Sequence, residues 1–148
     1  MTQELAEFDY ITRKQAQPTL FDCSINEFEM CKAFWKQVLE LRSANVIPEF
    51  AIYHNSNNQK IGGRAGIIAG SKAKAVGVMP GVLDYTVTGI GHLEAKIWYV
   101  DNESGKIARS YWKPEQHRFA HYAKSKGEKI AEFLTPKQGI DILLEWLK

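Results

Sequence analysis

The run Val82-Leu83-Asp84-Tyr85-Thr86-Val87, the turn Thr88-Gly89-Ile90-Gly91 and the run His92-Leu93-Glu94-Ala95-Lys96-Ile97 constrain this chain more than any other stretch. The pattern predicts two short strands joined by a glycine hairpin, with an Asp in the first and Glu-x-Lys in the second. Side chains alternate faces along a strand, so Glu94 and Lys96 share one face and Ala95 lies on the other. An antiparallel partner brings Asp84 against them. Two carboxylates and one ammonium on a patch of sheet suit a divalent metal held beside a phosphate ester. That chemistry makes a metal-dependent nuclease the leading expectation.

Two helical patterns add polar groups to apolar faces. Glu27, Cys31, Phe34, Val38 and Leu41 share one face of a helix predicted over Glu27–Arg42, within an apolar set that also takes in Phe28 and Trp35. Gln116, Phe119, Ala120 and Ala123 share a face of a second helix, which Pro114 can open. Glu27 and Gln116 each lead a stripe that should be buried, and buried polar groups need partners. A common metal-and-water site at the hairpin would supply them. The plainer readings are an acid favoured by the helix dipole for Glu27 and a water-facing residue for Gln116.

With 148 residues the chain is most economically one domain, and no apolar run approaches the length of a membrane span. Met1 to Phe8 lacks the order of a signal peptide, and Cys23 and Cys31 form no disulfide framework or zinc pattern. A reducing cytoplasm is expected. Net charge is only +2, but Phe50 to Leu83 holds no acid while Lys60, Arg64, Lys72 and Lys74 fall there. Lys106, Arg109, Lys113 and Arg118 form a second basic cluster. Such patches around an acidic site suit a polyanion, with a solvated lysine-rich surface as the simpler alternative.

The remaining elements follow from periodicity and turn residues. Met1–Ser24 reads as an irregular arm or short strand, and 25–148 as the folded domain. Phe50–Tyr53 is a short strand, His54–Gly63 a loop, and Ala65–Ala75 a helix. The second hairpin strand extends toward Val100, Asp101–Gly105 turns, and a helix runs from Pro114 to Lys126. Lys129–Leu134 is a strand, and Pro136 starts a last helix with Ile140, Leu143, Leu144 and Leu147 as its stripe. The expected class is α/β with a mixed central sheet, in the order α-β-α-β-β-α-β-α.

The run Gly77-Val78-Met79-Pro80-Gly81-Val82-Leu83-Asp84-Tyr85, then Gly91-His92-Leu93-Glu94-Ala95-Lys96, then Gln116, resembles the virus-type replication-repair nuclease (VRR-NUC) domain. That family is a branch of the PD-(D/E)XK nucleases with a restriction-endonuclease-like core. Glu27 and His54-Asn55 match further family features by order, and the likeness spans roughly Glu27 to Leu147. Leu83 stands where the family has a Pro, and Cys31 where many members have a Gln.

The resemblance implies that Asp84, Glu94, Glu27 and the Ala95 carbonyl bind Mg²⁺ or Mn²⁺. Lys96 would orient or help deprotonate a water, and Gln116 would position that water or a phosphate oxygen. Arg64, Lys72, Lys74, Lys113 and Asn55 would hold the nucleic acid. It further implies a small stand-alone deoxyribonuclease of phage or prophage type, cytoplasmic in a bacterial host or phage-infected cell. A homodimer selective for branched DNA such as a Holliday junction is a refinement.

Two rival readings remain: a non-catalytic nucleic-acid-binding module on the same fold, and an interaction protein whose strand charges face solvent. Histidines offer a third. His117 and His121 lie i, i+4 on one helix, and His92 shares the Glu94 face. For His117 and His121, exposed helix histidines are weighed against metal ligation; for His92, a solvated strand-end histidine is weighed against a DNA contact at the edge of the site.

Overall fold

The computed structural model describes residues 18–55 and 63–148. It is a mixed α/β fold built on a central mixed sheet, as expected. The helices are α1 (Glu27–Ser43), α2 (Gly63–Ala75), α3 (Pro114–Ser125) and α4 (Pro136–Trp146). The strands are β1 (Ile52–His54), β2 (Tyr85–Val87), β3 (Gly91–Ala95), β4 (Trp98–Val100), β5 (Ile107–Arg109) and β6 (Lys129–Phe133). Of the expected N-terminal arm, residues 1–17 lie outside the described residues, as does 56–62 of the expected loop. Leu20–Ser24 forms a single 3₁₀ turn.

The main sheet runs in the order β1-β2-β3-β6. β1 pairs antiparallel with β2, β2 antiparallel with β3, and β3 parallel with β6. The expected hairpin is therefore present, with Tyr85 opposite Leu93. Two details differ. Asp84 lies just before β2 rather than inside it. β3 also stops at Ala95 instead of continuing to Val100, because the chain turns out of the sheet there. The Lys96 N–H still bonds the Phe133 carbonyl, but Ile97 already bonds Ser110 through both its N–H and its carbonyl. Beyond that point β4 and β5 form a separate antiparallel ribbon, absent from the predicted element order.

The two faces of the sheet carry different chemistry. On one, Phe34 and Val38 of α1 and Ile140 and Leu143 of α4 pack with Ile52, Tyr85, Val87, Leu93 and Phe133. Phe34 meets the Phe133 ring at 4.6 Å and the Tyr85 ring at 4.9 Å between centroids. Helix α1 is rotated from the expected stripe: Met30 is buried and Phe28 is 74% exposed. Asn26 caps α1 by accepting from the Glu29 N–H, and Thr135 caps α4 by accepting from Gln138.

The opposite face is covered by α3, with a smaller apolar cluster of Leu83, Trp112, Ala120, Ala123 and Ile130. α3 ends through a Lys126 cap followed by Gly127, as the turn residues predict. Gly81 seats the loop before Asp84 against this helix. Its φ is +93°, and a Cβ there would lie 2.4 Å from the Glu115 carbonyl oxygen, so only glycine allows that approach.

Candidate functional site

Leu93 and Ala95 point into the α1/α4 core, so the alternate residues of β3 point toward α3. His92, Glu94 and then Lys96 follow that alternation. The Asp84, His92, Glu94, Lys96, Gln116 and Glu132 side chains are all buried, and they gather on the α3 face. A solvent-facing Glu94–Lys96 pair is overturned: Glu94 is 1% and Lys96 6% exposed.

Register explains the meeting of the first two acids. Tyr85 opposite Leu93 sets Asp84 opposite Glu94. The Asp84 N–H donates to Glu94 Oε1 at 3.1 Å, and the Ala95 N–H donates to Asp84 Oδ2 at 2.9 Å. Ala95 thus meets the acids through its N–H. Burial, then the adjacent negative charge of Asp84, raises the Glu94 carboxyl well above the usual carboxylate range, against the opposing pull of Lys96.

The Lys96 ammonium sits among acceptors. Its Nζ lies 3.4 Å from Glu94 Oε2 and donates to the Tyr111 carbonyl at 3.0 Å and to Gln116 Oε1 at 3.2 Å. It also lies 5.7 Å from the centre of the Trp112 ring. Gln116 uses both ends of its amide: Nε2 donates to Glu94 Oε2, while Oε1 accepts from Lys96 and, at 2.9 Å, from the Lys113 N–H. The expected polar leader of the α3 stripe is therefore a buried bridge between the carboxylate and the ammonium, not a water-facing residue.

Glu27 is half-buried on the first turn of α1. Its link to the cluster is electrostatic: burial pushes the Cys31 thiol, one helical turn on, up to about 12, with the charges of Asp84, Glu27 and Glu94 adding and the Tyr85 hydroxyl opposing. The Tyr85 hydroxyl donates to the Cys31 carbonyl at 3.3 Å, and burial and then Cys31 push its own pKa up. Among the described residues, no three His, Cys, Asp or Glu side chains come together as a metal-holding group.

The donor chemistry of Asp84 and Glu94 nonetheless fits a hard divalent cation. They are two facing carboxylates whose mutual repulsion a cation would relieve. Mg²⁺ is commonly held by one or two carboxylates, with water and substrate oxygens filling the remaining positions.

The other expected residues divide. Arg64, Lys72 and Lys74 lie exposed on α2, and Lys113 is exposed at the start of α3. Asn55 has a different employment. Its N–H donates to the Asp84 carbonyl at 2.7 Å, and its Nδ2 donates to the Leu83 carbonyl at 2.8 Å and to Thr86 Oγ1 at 3.0 Å. It clamps the Asp84 segment to the end of β1. His92 is buried rather than solvated, with Nε2 2.9 Å from Glu128 and its ring edge-on to Phe119. His117 stacks on Trp112 at 5.6 Å.

Sequence reasoning missed Glu132, which lies beside Glu94 in the parallel register and is fully buried. Its signal was an acid in the centre of the apolar strand Lys129-Ile-Ala-Glu-Phe. Comparison with protein-family models, with curated proteins and with solved structures finds no match.

Proposed function

We propose that this chain is a metal-dependent nuclease that hydrolyses DNA phosphodiester bonds at the Asp84–Glu94–Lys96–Gln116 cluster. The observation that carries the reading is the burial of two facing carboxylates and one ammonium on a single sheet face, bridged by one amide. Burying such groups is costly unless each is compensated, and a fold that needed only a core would fill these positions with apolar side chains. The arrangement also supports the resemblance to the VRR-NUC branch and to a PD-(D/E)XK core.

Asp84 and Glu94 would hold Mg²⁺ or Mn²⁺, with Glu27 and the Ala95 carbonyl as further oxygen donors from nearby. When bound, the cation polarises a phosphate and lowers the pKa of a coordinated water. The protein's own groups do the rest. Lys96 offsets phosphate charge and orients the attacking water. Gln116 fixes Lys96 relative to Glu94. Asn55 holds the backbone that presents Asp84. Arg64, Lys72, Lys74 and Lys113 bind the phosphate backbone without reading bases.

One site per chain cuts one strand, so cleavage of a duplex or a four-way junction requires two copies, as in a symmetric dimer. A cytoplasmic setting, in a bacterial or phage-infected cell, belongs to the same reading. Glu94 Oε2 already accepts from Gln116 and pairs with Lys96, which favours, as the second reading, a binding module that keeps the fold without cutting.

A panel of single-strand, duplex, flap and four-way-junction DNA, incubated with and without Mg²⁺, separates the two. Cleavage that needs Mg²⁺ and stops in Glu94→Ala is expected. Binding without cleavage of any substrate supports the second reading, and full cleavage in excess EDTA overturns the first.

A further inference from the structure

A second buried acid stands apart from the Asp84–Glu94–Lys96–Gln116 cluster. Glu132 lies in β6 with no solvent exposure, on the same sheet face as Glu94. A carboxylate at that depth needs donors in place of water. Trp112 Nε1 donates to Glu132 Oε1 at 2.6 Å, and the Arg109 guanidinium pairs with the same oxygen. Arg109 closes β5, and Trp112 lies in the short stretch that joins β5 to α3.

That stretch also builds the seat of the ammonium. Between the two anchors, the Tyr111 carbonyl accepts from Lys96 Nζ, and just beyond them the Lys113 N–H donates to the Gln116 oxygen that Lys96 also bonds. Residues 110–113 belong to no helix or strand, and the Tyr111 side chain is 78% exposed. Neither a backbone ladder nor burial of that side chain therefore holds the carbonyl in place. Ser110 ties the start of the stretch to Ile97. On its far side Trp112 is bonded to Glu132, beside its packing in the α3 cluster and its stack with His117, and of these contacts only the Glu132 bond is a directional one to the indole N–H.

We propose that Glu132 is a positioning residue: acting through Trp112 and Arg109, it fixes the Tyr111 carbonyl and hence the place of the Lys96 ammonium against Glu94. The consequence for cleavage rests on the nuclease reading above, whereas the placement of Lys96 does not.

The test uses the full chain with Glu132→Gln and with Trp112→Phe, which removes the indole donor and keeps an aromatic ring. Acetic anhydride labelling, quantified at each lysine by mass spectrometry, reads the placement directly. Lys96 should label slowly in the parent and several-fold faster in both variants, with Lys137 unchanged. In Mg²⁺-dependent cleavage, kcat should fall by about 10- to 100-fold with KM unchanged. Arg109→Lys should retain more activity than Arg109→Met.

Unchanged Lys96 labelling in variants that still melt cooperatively overturns the proposal, whatever happens to cleavage. Should Glu132→Gln fail to fold, Trp112→Phe, which leaves the Arg109 pair intact, decides by the same labelling. A parent protein that cleaves nothing defeats the nuclease reading alone, since labelling still decides the positioning.

Discussion

The two faces of the central sheet are made from the same strands but solve opposite problems. Toward α1 and α4, alternate residues Tyr85, Val87, Leu93, Ala95 and Phe133 enter an apolar core. Toward α3, the residues between them include Asp84, His92, Glu94 and Glu132, buried as deeply but polar. The apolar face gains stability from every side chain removed from water. The polar face is held by directional bonds that each need a partner, and its like charges oppose folding. The difference assigns stability to one side and chemistry to the other.

The largest expected effect falls on the polar face. Asp84→Ala, Glu94→Ala or Lys96→Ala should lower Mg²⁺-dependent DNA cleavage by about 10³-fold or more while the chain stays folded, measured by single-turnover cleavage alongside circular dichroism. Retention of parental activity in Asp84→Ala would remove the chemical half of the contrast. On the apolar face, Phe34→Ala should cost about 3–5 kcal/mol in urea unfolding, because it vacates the ring contacts with Phe133 and Tyr85.

A sharper version puts both properties on one residue. Asp84→Asn keeps an oxygen for the Ala95 N–H and places a donor toward Glu94, which relieves the like-charge repulsion. It should abolish cleavage yet raise Tm at pH 8 without metal. A lowered Tm would mean that the carboxylate pair is not under electrostatic load.

The sign of the pH dependence follows from the raised Glu94 pKa. The contribution of this group to stability is fully present below its unfolded pKa, about 4.3, and is lost as pH rises through the higher folded value. Metal-free protein should therefore lose Tm between mildly acidic pH and pH 8. Mg²⁺ should restore more of it at pH 8 than at pH 5.5, because there it competes with fewer protons. Equal Mg²⁺ effects at both values would argue against binding at these carboxylates.

The smallest effect belongs to neither face: Lys137→Ala removes an exposed i, i+4 pair with Asp141 and should change stability by only about 0.3–0.5 kcal/mol in urea unfolding.

Much of the site was legible because it depends on short-range rules. Period-2 alternation set Glu94 and Lys96 on one face, and the hairpin brought Asp84 opposite. The α3 stripe likewise marked Gln116 as a polar group turned inward. The α1 pattern was less informative. Phe28 fits the helical spacing as well as Met30 does, and only packing against β3 and α4 buries one and exposes the other. Asn55 was placed near the site by order along the chain, but its bonds to Leu83 and Thr86 depend on β1 lying beside β2.

The sequence alone determined what is encoded within a few residues: the α/β class, the hairpin, the helix starts at Pro114 and Pro136, and the shared face of the carboxylate and the lysine. Spacing along one chain segment fixes those features, whatever surrounds them. Tertiary structure decided the rest. The β3–β6 pairing set Glu132 beside Glu94, and the β4–β5 ribbon carried Trp112 and Arg109 to Glu132 and the Tyr111 carbonyl to Lys96. Those contacts join residues far apart in the chain, and their geometry exists only once the sheet order and the packing of α3 are set.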